Sequence, residues 1–254
     1  MAEAKRAERE RRLAERRKRA RLRTALFVAV AAIVFVGCAA LYNSDIFPVK
    51  TVEVTGVQNL TVEHVLELAQ VPEDATLLRF PKDEVRERVE ADPWVARVAV
   101  TRDFPDTMRI RVEEREPIAL VDMLDEYLVV DAEGFVIEKR SLATTDTALV
   151  VIRDIEGLDP SAGRKTSSEP LLNALAVYRS LSDELKAQLR AISAPSIDET
   201  ALLTNDGIEV FVGKAEDMEK KDAVIREIIK DQGEGVIFID VRTVDRPIVR
   251  GLSD

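Results

Sequence analysis

Residues 92–119 read DPWVARVAVTRDFPDTMRIRVEEREPIA, and the centre of that stretch is a turn. Asp103-Phe104-Pro105-Asp106 combines a Pro with two Asp residues, the composition of a tight reversal. On its far side Thr107 to Glu113 alternates, with Met108, Ile110 and Val112 facing in and Arg109, Arg111 and Glu113 facing out. On its near side Val95 to Arg102 is the partner strand. Trp94 follows Pro93 at the entrance to that strand and is expected in the core of the same unit.

Upstream lie two helices. One begins at Pro81, a favourable first helical position, carries Val85 and Val89 on its buried face, and ends before Pro93. The other, Thr61 to Ala69, sets Val62, Val65, Leu66 and Ala69 on one face and is stopped by Pro72. Before them Val49 to Val54 alternates as a half-buried strand ended by Gly56. Pro48 to Glu116 is therefore a compact β-α-α-β-β unit, assigned to residues 48–116.

Downstream, residues 117–254 form a second unit. Short strands are predicted at Ile118–Val121, Tyr127–Val130, Phe135–Ile137 and Leu149–Ile152, with a turn at Asp131–Gly134. Residues 159–168 are a loop by composition. Helices are expected from near Pro170, over Ser182–Ala191, and over Lys214–Asp231. Ala201–Leu203 and Ile208–Val212 flank an Asn-Asp-Gly turn. The last strands are Gly235–Arg242 and Arg246–Arg250, and Pro247, which lacks an N–H, suits an edge. The fold class is α+β, the second unit being a mixed β domain with packed helices.

Charge patterning places this outer part. Residues 1–23 hold 11 Lys/Arg against four Glu, and no charge occurs in the 21 residues from Thr24 to Ser44. As a helix that run is roughly 31 Å long, close to a bilayer's hydrocarbon thickness. Basic flanks stay in the cytoplasm, so 1–23 is read as a cytoplasmic tail, 24–44 as a span and the rest as external. The tail is net +7 and the whole chain −10, which leaves −17 for the remainder. Interleaved Glu3, Glu8, Glu10 and Glu15 make the tail a solvated juxtamembrane segment rather than a nucleic-acid binder. A cleaved signal peptide would have a shorter apolar stretch. Phe35-Val36-Gly37-Cys38 resembles a lipidation box but has Phe in place of the usual Leu.

Catalytic signals are sparse. The one cysteine, Cys38, lies in the apolar run, so the outer part has neither a disulfide nor a thiol nucleophile. The one histidine, His64, reads as a surface residue of a short helix. Ser-x-x-Lys, Gly-x-Ser-x-Gly, Walker and His-Glu-x-x-His patterns do not occur. Asp122 and Asp125 could be taken for glycosidase acids, but 43 of the 47 acidic residues lie beyond residue 23, so chance proximity is expected. No enzyme, cofactor, metal, nucleic acid or small-molecule substrate is expected, which leaves binding through surfaces.

Residues 92–119, together with Val52–Gly56, Val130–Gly134 and Phe238–Arg242, resemble the FtsQ/DivIB cell-division family. The pattern is a Pro-Trp, a strand ending in Arg, a Phe-Pro turn, a strand, then Glu-Arg-x-Pro-x-Ala. The resemblance implies a single-pass type II membrane protein, a POTRA domain for the βααββ unit, and a non-enzymatic scaffold at the septum. It implies partners of the FtsB and FtsL type and an influence on septal peptidoglycan synthesis by FtsW/FtsI-type synthases. It also implies that an FtsB-type segment adds to the last strand, which carries over to Asp240, Val241, Arg242, Thr243, Val244, Asp245, Arg246, Ile248 and Val249. Thr243 departs from the Tyr common there. Glu114 matches an acidic partner contact at the domain junction. The competing reading leaves Arg242 and Glu114 as solvated ion pairs. The alternative from another class is a POTRA-bearing envelope-assembly or translocation module, which would need a barrel or repeated POTRA units.

Overall fold

The computed structural model describes residues 23–141, 149–158, 161–232 and 235–251. The basic tail up to residue 22, and Asp159 and Pro160 of the expected loop, lie outside the described residues. Chain contacts divide the molecule into two compact units.

The first unit takes in the described part of Met1–Glu53 together with Gln70–Glu84 and Val100–Ile110. It begins with α1, Arg23–Tyr42, of mean hydropathy 2.6 and with no buried residue. Among the described residues α1 is the one helix long and apolar enough to cross a membrane. Asn43 closes it, donating from its backbone N and Nδ2 to the Ala39 carbonyl at 3.1 and 2.8 Å. The chain leaving α1 is then stitched down. The Phe47 carbonyl accepts from Leu77 N (2.8 Å), Val49 N donates to the Ala75 carbonyl (2.9 Å), and Lys50 N donates to the Asp106 carbonyl (2.9 Å).

The second unit comprises Val54–Ala69, Val85–Ala99 and Arg111–Asp254. Helices α2 (Val62–Ala69) and α3 (Lys82–Glu90) bury Val65, Ala69, Val85 and Val89, as their spacing predicts. Strands β1 (Thr51–Thr55), β2 (Val95–Asp103) and β3 (Thr107–Glu114) make a three-stranded sheet with β3 in the middle. Each of these strands contributes residues to both units. Met108, Ile110 and Val112 are buried and Arg111 and Glu113 exposed, the alternation the sequence shows.

A nine-stranded mixed sheet fills the rest. Its strands are β4 (Ala119–Asp122), β5 (Glu126–Val130), β6 (Val136–Ser141), β7 (Val150–Arg153), β8 (Leu189–Ser193), β9 (Ala201–Thr204), β10 (Glu209–Phe211), β11 (Val236–Asp240) and β12 (Ile248–Gly251). Their order is β12-β11-β10-β9-β8-β7-β4-β5-β6, so β12 and β6 are the edges. Helices α4 (Glu169–Ser180), α5 (Asp183–Ala187) and α6 (Met218–Gln232) supply Leu171, Leu175, Val177, Leu185 and Ile225 to a core shared with Ile152, Ile192, Leu202, Val210 and Ile239. Each such fully buried side chain is worth about 1.5–3 kcal/mol. Ser168 caps α4, its hydroxyl accepting from Leu171 N, and Ser182 caps α5 the same way.

Two expectations are corrected. The helix expected over Ser182–Ala191 is one short helix followed by β8. Leu189–Ser193 has helix-tolerant residues, yet it pairs parallel with β7 and antiparallel with β9, and that pairing on both sides overrides local propensity. Trp94 is half-buried and packs against Leu120, Val129 and Ile137 of the nine-stranded sheet rather than inside the βααββ unit. Its indole Nε1 donates to Glu138 at 3.2 Å, giving the polar end of the ring a partner.

Candidate functional site

The residues expected to carry function fall in two places. Asp240 ends β11, and Val241 to Pro247 form the turn into β12. Val241 is fully buried and its N–H donates to the Phe211 carbonyl at 2.9 Å. Arg242 folds back on Asp240, with its Nη2 2.7 Å and Nε 3.1 Å from the carboxylate and its own backbone N–H 3.0 Å away. Those side-chain bonds hold the Asp240 carboxyl below its usual range against the opposing effect of burial, and they raise Arg242 in turn. The guanidinium also lies 5.4 Å from the centre of the Phe211 ring. Gly213, at φ +61°, leaves the space that Arg242 fills: a Cβ there would stand 3.1 Å from Arg242 Cγ. Thr243, Asp245 and Arg246 are exposed in the turn, and Arg246 N donates to the Thr243 carbonyl at 3.2 Å.

Strand alternation shows which backbone groups of β12 face outward. β10 and β11 are parallel, with Phe211 opposite Asp240. Since Val241 N–H is spent on Phe211, Ile239 also faces β10, and Phe238 and Asp240 face β12. These two oppose Arg250 and Ile248. Val249, between them, turns its N–H and C=O away from β11, while its side chain packs against the core. Ile248 is 52 % exposed. The edge therefore presents a backbone donor and acceptor beside an exposed apolar side chain, which is what strand addition needs. Val244 lies in the turn between the two strands, which is longer than the sequence suggests because β11 stops at Asp240 and β12 starts at Ile248.

Glu114 belongs to the other sheet, at the end of β3. Its carboxylate accepts from the N–H groups of Gln58, Asn59 and Leu60 and from Asn59 Nδ2, all at 2.8–3.1 Å. Burial opposes the charge and is the largest single influence, but these donors together outweigh it and hold the carboxyl below its usual range. The chain passes close at this point: Gly56, at φ +90°, would place a Cβ 2.0 Å from the Val112 carbonyl oxygen. Glu114 is thus a backbone-held anion rather than a solvated ion pair, whereas Arg242 does form an ion pair, with Asp240.

With that geometry in hand, comparison with known proteins is decisive. The family described as "POTRA domain, FtsQ-type" matches residues 47–115, and "Cell division protein FtsQ/DivIB, C-terminal" matches residues 119–245. The chain belongs to the FtsQ family. Cell division protein FtsQ of Streptomyces venezuelae is 30% identical over 81% of this chain and 76% of its own length. The Corynebacterium glutamicum FtsQ is 26% identical over 82% and 89%. The Mycobacterium leprae FtsQ is 28% identical over 83% of this chain, which spans 58% of that longer relative. The FtsQ/DivIB match over the C-terminal part decides against the envelope-assembly alternative. Family membership gives the chain a divisome role in cell division, and α1 is consistent with a membrane span.

Two further features of this FtsQ family member were not anticipated from sequence. A cleft of about 610 Å³ opens where β10 and β11 end beside the start of α6, lined by Lys214, Asp217, Lys220, Arg242 and Asp245 among others. At its base Lys221 is 4 % exposed; its ammonium donates to the Val212 and Lys214 carbonyls at 2.8 Å, and burial lowers its pKa. The signal was the parallel β10–α6–β11 crossover, since clefts form at the carboxyl ends of parallel strands. The second feature is Arg115, which pairs with buried Asp131 at 2.9 Å and stacks on Phe135 with Cζ 3.6 Å from the ring centre. Asp131 and Phe135 flank a turn that was legible, but their link to Arg115 was not.

Proposed function

We propose that this chain is a single-pass divisome scaffold that binds FtsB- and FtsL-type partners through β12. The observation that carries this reading is the edge position of β12 with Val249 presenting its backbone outward. The basic tail (1–23) lies inside the cell, residues 24–44 span the membrane, and the POTRA domain (48–116) and C-terminal domain (117–254) lie outside. The protein concentrates at the septum and, without catalytic chemistry of its own, helps control septal peptidoglycan synthesis by FtsW/FtsI-type enzymes. Partner contact extends along Asp240–Arg246, Ile248 and Val249, and Glu114 shapes a second contact by holding the 58–60 loop.

The test is a titration of residues 45–254 with an FtsB-like peptide, with circular dichroism as the folding control. Val249→Pro removes the outward donor without touching the bonds to β11, and edge strands tolerate Pro at such positions. It should weaken binding at least about tenfold, while Thr243→Ala changes affinity little. Equal affinity in Val249→Pro and the unaltered protein would refute docking on this edge. Even spread of a fluorescent fusion around the envelope of dividing cells would count against septal function.

A further inference from the structure

We propose that the β2–β3 hairpin tip and Ile46 form a membrane-contact face that seats Phe104 in the headgroup layer of the leaflet from which α1 emerges. The inference rests on α1 spanning the bilayer and is independent of the partner reading.

The first observation is distance. α1 ends at Tyr42, and Asn43 ties the chain back onto its last turn. Four residue steps separate Tyr42 from Ile46, at most about 14 Å of extended chain. Ser44 N donates to the Leu41 carbonyl at 3.2 Å and Ile46 N to the Ser44 hydroxyl at 3.1 Å, so the link is folded rather than extended. The interfacial zone adds only about 5–8 Å on each side, so it is this folding, more than the count of residues, that keeps Ile46 beside it.

The second observation is apolar exposure at that level. Ile46 is 62 % exposed and Phe104 53 % exposed. Phe47 meets Phe104 edge-to-face with ring centres 5.2 Å apart. The hairpin tip is thereby held against the chain leaving the membrane, and the bond from Lys50 N to the Asp106 carbonyl fixes it from the other side. Tyr42, 54 % exposed at the end of α1, is the first aromatic of the same zone. Tyr is a residue of the interfacial belt, and exposed Phe104 and Ile46 add apolar surface at the same level.

The third observation is charge. Each carboxylate of this juxtamembrane segment and hairpin turn has a cation. Asp45 pairs with Arg79 at 2.8 Å, Asp103 with Arg109 at 2.9 Å and Asp106 with Lys50 at 3.6 Å. The face therefore offers apolar rings framed by neutralised pairs, and it can approach a phospholipid surface without unpaired anions. A bilayer is the one partner that α1 itself delivers to this position.

The native thiol supplies a built-in control. The full-length chain is placed in phosphatidylcholine nanodiscs and labelled with an environment-sensitive fluorophore at Cys38, or at position 104 in a Cys38→Ser, Phe104→Cys variant. Acyl-chain nitroxide lipid should quench the Cys38 label, which establishes insertion of α1. Headgroup nitroxide lipid should lower emission from position 104 at least about twofold, while iodide reaches it poorly. Adding Ile46→Asp should reverse that pattern, because a carboxylate on the face resists entry into the interface. The proposal is overturned if the Cys38 label is quenched while the label at 104 stays unquenched and open to iodide. The face would then belong to a protein instead. An unquenched Cys38 label would overturn it at its premise.

Discussion

Arg115→Ala should destabilise the outer part of the chain by about 3–4 kcal/mol. The Asp131 side chain is 5 % exposed and that of Arg115 21 % exposed, so the 2.9 Å pair is largely shielded from water. Removing one partner of a buried pair costs about 3–5 kcal/mol, because a charge is left without its counterion. Asp131 would not be wholly stranded. Its other oxygen accepts from Glu133 N and Phe135 N, both at 2.9 Å, which favours the lower end of that range. Loss of the guanidinium over Phe135 adds about 0.5–1 kcal/mol. For a folded part of this size the melting temperature should fall by roughly 6–16 °C. The assay is urea denaturation of residues 45–254, read by far-UV circular dichroism and by fluorescence of Trp94. That residue reports directly, since Arg115 N donates to its carbonyl at 2.7 Å. Arg115→Met keeps the apolar stem and should recover part of the packing but none of the pairing. A double-mutant cycle with Asp131→Asn should show coupling above about 1 kcal/mol. A loss below about 1 kcal/mol in Arg115→Ala, with no coupling, would refute the argument that this pair holds the unit together.

Three other outcomes follow. Glu114 titrates below its usual range in the folded state, so its contribution is present at neutral pH and disappears as pH falls through that range. Glu114→Gln should cost about 1–2 kcal/mol at pH 7 and flatten the loss of stability between about pH 5 and pH 3, measured by urea titration at each pH. Gly56→Ala would drive a methyl group against the Val112 carbonyl and should lose at least about 3 kcal/mol, read from the unfolding midpoint. Protease treatment of intact spheroplasts should remove residues beyond about 45 and spare the basic tail; the reverse pattern would invert the proposed topology.

What the sequence made legible depended on how local the signal was. β3 is plain because Met108, Ile110 and Val112 alternate with charges, and α2 and α3 are plain because Pro and Gly bracket their apolar spacing. β12 was placed at an edge by the missing donor of Pro247 alone. β8 was not legible, since Leu189 to Ser193 looks helical until β7 and β9 are known to flank it. The same holds for the candidate site. Arg242 and Asp240 are two residues apart and their pairing could be guessed. The four donors on Glu114 come from a loop more than 50 residues earlier. Arg115 meets Asp131 and Phe135 only once the nine-stranded sheet has formed, and no periodicity encodes that meeting. Trp94 was misplaced for the same reason: its burial was expected, but the surface that buries it belongs to a different sheet.

The vacancy at Gly213 constrains how this chain can change over generations. Arg242 Cγ occupies the space where a side chain at 213 would begin, and the Asp198 carbonyl closes it at 3.3 Å. A side chain at 213 would have to displace Arg242 by a few tenths of an ångström, against its grip on Asp240, and would also carry the strain of a positive φ. A shorter residue at 242 would relieve the first cost and leave the second. Variation at the turn that leads into β12 is therefore coupled to a glycine outside it. Libraries that randomise Arg242 alone would sample only half of the pair that shapes this corner.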